Sequence, residues 1–165
     1  MSRKILSLFS LVAVMAVLFL TRGISSDELR DSSKQAKSEA ETVCQRLPYI
    51  KKLSFKDEPI DDEDYNKIVS EGKAVVPCLI NRITDLSPMK DPRSAPTYPN
   101  FRVGDLAFFL LVRITGTRFE QMLPASVTDR MKDEGVYAYF EYVQRPSNRR
   151  ALQNRWKTWL RTQGR

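Results

Sequence analysis

The side chains of this chain that could do chemistry are carboxylates. Asp105, Glu120, Glu134 and Glu141 sit among aromatic residues, which can raise a carboxyl pKa or hold a sugar ring. Glycan cleavage needs only two such acids, about 5 Å apart for retention of configuration or roughly 6.5 to 9.5 Å for inversion. Their spacing singles out no pair, and the competing reading makes Asp105 a helix cap and the other three surface or ion-paired acids. The 165 residues include no histidine. That removes Ser-His-Asp and Cys-His nucleophilic centres, the usual zinc sites, haem ligation through histidine and the commonest general base near neutral pH. No cofactor is expected.

The acid run Asp57, Glu58, Asp61, Asp62, Glu63 and Asp64 suggests calcium, with Asp62, Asp64 and Asn66 at positions one, three and five of an EF-hand loop. The match fails at position six, which is Lys67 where glycine is required, and at position twelve, which is Lys73 where glutamate is required. Acids at a helix start are stabilised by the helix dipole. That explains the run without an ion, and no metal site is expected.

Compartment is set by the first residues. Arg3 and Lys4 precede an apolar run from Ile5 to Leu20, followed by the small and polar stretch Thr21–Ser26, the layout of an export signal. As a helix those 16 residues reach about 24 Å, short of a hydrocarbon core of about 30 Å. The reading is a signal peptide over 1–23, cut after Gly23, with an uncleaved N-terminal anchor as the alternative. Removing it lowers the net charge from +7 to about +4, since Arg3, Lys4 and Arg22 go with it. An exported chain with two cysteines usually joins them, so Cys44 and Cys78 are expected to form a disulfide. The alternative is two buried thiols acting as small apolar residues. Neither version implies catalysis, because no CxxC and no histidine accompany them.

The remaining positive charge is gathered at the end of the chain. Residues 145–165 carry seven bases and no acid, among them Arg149, Arg150, Arg155, Lys157 and Arg161. With Trp156 and Trp159 they could lie on an anionic membrane surface. Nucleic acid is disfavoured by export and by the lack of any nucleic-acid motif. The third reading packs the tryptophans into the domain and leaves the bases for an acidic protein, which suits the fork geometry of arginine toward carboxylates.

Elements of helical spacing must position these groups. Ser26 can cap a helix over Asp27–Leu47, with Ala36, Ala40, Val43 and Leu47 on one face and Pro48 as its stop. Asp61 can cap a short second helix ending near Gly72. A third runs from Ala74 to about Asp85 with Val75, Leu79, Ile80 and Ile83 on one side, and a fourth from Gly104 to Thr115 with Leu106, Phe109, Leu110 and Ile114 in register and Gly116 ending it. Pro124 splits Phe119–Met131 into a turn and a short helix from about Ser126. Val136–Val143 alternates like a strand but has no partner strand, so helix is the preferred reading. The last helix, about 147–162, carries Leu152, Trp156, Trp159 and Leu160 as an apolar stripe. Ser87–Asn100, rich in proline and without periodicity, reads as an extended loop.

Gly72-Lys-Ala74-Val75-Val76-Pro77-Cys-Leu79-Ile80, then Asp85, then Val103-Gly104-Asp105-Leu-Ala107, resembles the helical-hairpin units of HEAT-like repeat proteins. The likeness covers about 45 of the 165 residues. It departs from that family in the long Pro-rich insert and in the lack of a third unit. It implies all-α packing and a concave protein-binding surface.

The expectation is therefore an all-α protein: one domain over 24–165, about five or six helices, a long Pro-rich loop and one disulfide. In function it reads as an exported, non-catalytic protein-binding module, with a periplasmic inhibitor or immunity-type protein as one concrete form. Its expected binding residues are Arg149, Arg150, Arg155, Lys157 and Arg161, and its expected partner an acidic protein. The alternatives are a carboxylate-dependent cell-wall glycan hydrolase and a membrane-anchored structural protein.

Overall fold

The computed structural model describes residues 26–54, 60–95 and 97–163. The apolar run, the cut after Gly23, and Asp57 and Glu58 lie outside these residues. Helix α1 spans Ser26–Cys44 and buries Ala40, Val43 and Cys44. The helix was expected to reach Leu47; instead the chain tightens to a 3-10 turn over Leu47–Tyr49 with Pro48 near its start. A proline has no N–H to continue the α-helical ladder, and the tighter turn still buries Leu47.

Helix α2, Glu63–Ser70, is capped by Asp62 and not by Asp61. The Asp62 Oδ1 accepts from the Tyr65 N–H at 2.9 Å, and its Oδ2 accepts from the N–H groups of Lys51 and Lys52 at 2.7 and 2.9 Å. Asp61 instead pairs with Lys52 at 2.8 Å. Asp64 is taken by Arg46 at 2.6 Å, and Asn66 bonds both backbone groups of Ile60. Asp61, Asp62 and Asp64 thus tie the start of α2 to Arg46, Lys51 and Lys52.

A 3-10 turn over Gly72–Val75 leads into α3, Val76–Arg82, whose Leu79 and Ile80 are buried together with Val75 and Ile83. Helix α4, Val103–Thr115, is the centre of the molecule: its residues from Val103 to Leu111 are all buried, and Gly116, at φ 66°, ends it. A helix apolar all round must be surrounded. Its near neighbour is α3, and Gly104 permits the approach: a Cβ there would lie 2.3 Å from the Ile83 carbonyl oxygen.

Pro124 separates two short helices, α5 (Phe119–Met122) and α6 (Ala125–Glu134), and Gly135, at φ 61°, ends the second. The 136–143 stretch is helical, as α7, Tyr137–Val143, with Ala138, Tyr139, Phe140 and Val143 buried. Helix α8, Pro146–Gln163, closes the fold, burying Leu152 and Trp156 while Trp159 and Leu160 pack at the margin of the core. The described residues therefore form an all-helical domain of eight α-helices, more than the five or six expected; one of them, α5, stands where a turn was expected before Pro124. None of these helices is long and apolar enough to cross a membrane. The sulfurs of Cys44 and Cys78 are joined, tying the end of α1 to α3.

The Pro-rich loop is fastened to the body. Met89 and Val103 pair with Phe101 and Ser87 through backbone hydrogen bonds, and Leu53 N–H donates to Pro92. Inside the loop Asp91 receives the Arg93 guanidinium and the backbone N–H groups of Arg93 and Tyr98. Arg93 lies over the Phe140 ring, 4.7 Å from its centre, and Tyr98 stacks on the same ring at 4.2 Å. A buried guanidinium is tolerable there because both its charge and its flat faces are matched.

Candidate functional site

Helix α8 presents two unlike sides. At roughly 100° per residue, Leu152, Trp156 and Trp159 face the domain, while Arg150, Asn154, Lys157 and Arg161 fall within about 60° of one another on the opposite side. Arg150, Lys157 and Arg161 are exposed. Among the described residues Lys157 Nζ donates to Gln153 Oε1 at 3.2 Å, and Arg161 donates to Thr158 Oγ1 at 3.1 Å. Among the described residues none of the three pairs with an acid, so their charges face solvent unneutralised.

The other two expected binding residues are placed differently. Arg149 is inside: its guanidinium meets Asp105 Oδ1 at 2.8 Å, with side-chain exposures of 5% and 1%. Asp105 also accepts from the Tyr139 hydroxyl at 3.1 Å, and its Oδ2 accepts from the Arg102 N–H at 2.9 Å, capping α4. Burial pushes the Asp105 carboxyl above its ordinary range, opposed by Arg149, the Arg102 N–H and Tyr139. Burial likewise drives the Tyr139 hydroxyl well up. Arg155 donates to the Met122 carbonyl at 3.1 Å, tying α8 to the end of α5. Of the five expected residues, the exposed stripe keeps Arg150, Lys157 and Arg161.

Two of the four candidate acids meet, but around a cation on an exposed face and not across a cleft. Glu134 and Glu141 are both held by Arg130, each at 2.5 Å, on the exposed side of α6 and α7. The Arg130 hydrogen bond keeps the Glu134 carboxyl below its ordinary range, the opposite of what a general acid needs. Glu120 is exposed on α5, and Asp105 is committed to its buried partners.

Beside Arg149 the surface is concave. A hollow of about 310 Å³ is lined by Leu86, Tyr98, Asn100, Arg102, Gln144 and Arg149, between the Pro-rich loop and the α7–α8 corner. Sequence reasoning missed Arg102 and this hollow, since its walls come from segments that only tertiary packing brings together. One signal was present for Arg149. It lies three residues before Leu152 and seven before Trp156, on the apolar side of the helix.

No protein-family model matches this chain, and no curated protein and no solved structure matches it.

Proposed function

We propose that this protein is an exported, non-catalytic binding module that receives an acidic protein surface on the outer face of α8. The observation that carries the reading is the stripe of Arg150, Lys157 and Arg161, three exposed cations unmatched by any acid of the described residues. An unneutralised stripe of this kind steers an acidic partner and fixes its orientation. Two arginines in it favour forked, carboxylate-directed contacts over mere charge. Export rests on the N-terminal apolar run and agrees with the Cys44–Cys78 disulfide, since such bonds persist in oxidising compartments. A periplasmic inhibitor or immunity-type protein is the concrete form that this combination suits.

The buried position of Trp156 weighs against a membrane-surface role, because a ring held in the core cannot sit among headgroups. The test is the affinity of a partner captured from a periplasmic extract, measured against rising salt and against an R150E/K157E/R161E variant. Affinity should fall with salt and collapse in the variant while thermal stability stays unchanged. Salt-insensitive binding that survives the triple reversal would refute the reading.

A further inference from the structure

A second hollow of about 310 Å³, lined by Thr84, Leu86, Pro146, Arg149, Arg150 and Gln153, adjoins the first. The two share Leu86 and Arg149 as walls, so they run on from one another around the start of α8. We infer that together they form one groove that takes an extended acidic peptide segment, with Arg102 and Arg150 each gripping a carboxylate and Leu86 seating an apolar side chain between them. The inference rests on the acidic-partner reading above and names the part of the partner that enters this face.

Charge decides the occupant. Three arginines and one acid line the groove, and Arg149 and Asp105 neutralise each other. Two positive charges remain. Among the described residues the one side-chain hydrogen bond of Arg102 is long, 3.4 Å to the Leu86 carbonyl, which leaves most of its fork open there. Arg150 stands where the groove meets the exposed stripe of α8, so a partner lying on the stripe is already positioned to feed a segment in. The start of α8 adds its dipole to the same sign.

Shape and polarity fit a peptide better than a headgroup. Leu86 is 49% exposed, one of three large apolar residues so exposed among those described, and it stands at the junction of the two hollows. Phe140 and Val143 line the first hollow behind it. An exposed leucine between two open arginines is the counterpart of an acid–apolar–acid sequence, read in alternation along an extended chain. The exposed Asn100 offers an amide that can pair with peptide backbone.

The experiment is selection of a random-peptide display library on the immobilised chain from residue 24, followed by binding measurements on the strongest synthetic peptide. Enriched peptides should carry acidic residues flanking a leucine or aromatic residue. R102Q and L86A should each weaken binding roughly tenfold, as expected for losing a charged hydrogen-bond partner or an anchor contact. K157E and R161E, outside the groove, should weaken the peptide far less. Both groove side chains are at the surface, so unchanged thermal midpoints will show that the variants fold. No enrichment, enrichment without acids, or acidic peptides insensitive to both R102Q and L86A would overturn the groove. Binding to phosphatidylglycerol vesicles in place of any peptide would overturn it as well. If acidic peptides ignore R102Q and L86A but lose affinity with K157E and R161E, the groove falls and the acidic-partner reading stands. If the captured partner also ignores the triple reversal, both fall.

Discussion

The Arg149 guanidinium and the Asp105 carboxylate meet at 2.8 Å inside the protein and join α8 to the first turn of α4. The pair fixes Arg149 in the fold: it walls the groove but has no free charge to offer a partner. R149Q should lose about 3 to 5 kcal/mol of stability, because it strands a buried carboxylate. The pH dependence has a definite sign. Burial raises the folded pKa of Asp105 above 3.8, so its contribution is fully present below the unfolded pKa and is lost as pH rises through the folded one. In R149Q the rise is larger, so urea midpoints should drop more between acid and neutral pH than in the wild type. D105N/R149Q should recover part of the loss. An R149Q protein as stable as the wild type would contradict this assignment.

Gly104 is required by closeness and not by backbone twist. G104A would bring a methyl within 2.3 Å of the Ile83 carbonyl oxygen and 2.9 Å of that of Asp85. Backbone atoms cannot swing away, so a loss of about 1 to 3 kcal/mol is expected in chemical denaturation. No loss would mean that α3 and α4 are more loosely apposed.

The Cys44–Cys78 bond closes a loop of 34 residues' separation. Replacing both cysteines with serine should lower unfolding free energy by roughly 3 to 4 kcal/mol, through the freedom returned to the unfolded chain. The helical far-ultraviolet signal should persist at low temperature. Equal stability of the oxidised and serine forms would show the bond to be incidental.

At the surface, Arg130 clasps Glu134 and Glu141. R130A should let the Glu134 carboxyl rise toward its ordinary 4.5, visible in a side-chain carboxyl NMR titration. The wild-type contribution is present above the unfolded pKa and disappears as pH falls through the depressed folded value. An unshifted Glu134 in R130A would disprove the clasp.

The helices were legible because their apolar residues recur at helical spacing. Leu106, Phe109 and Leu110 on α4 and Leu152 and Trp156 on α8 are buried as that spacing requires. The 136–143 stretch was readable only by asking where a lone strand would find partners. Periodicity failed where pairing decides burial. Asp91 and Arg93 are polar, lie among prolines and belong to no repeating pattern, yet each makes the other's burial possible. Composition likewise grouped Arg149 with its neighbours, although its register with Trp156 put it on the inner side. The groove between Leu86, Arg102 and Arg150 is made by residues far apart in the chain, so no local pattern announces it.

The proposed acidic partner of the outer α8 face is tested by two baits exposed in parallel to a periplasmic extract of the source cells: the chain from residue 24, and the same chain carrying R150E/K157E/R161E. A binding role for that face requires one acidic protein, recovered in near-equal amount by the first bait and missing from the second. Recovery of the same proteins by both baits, or of nothing specific by either, would contradict it.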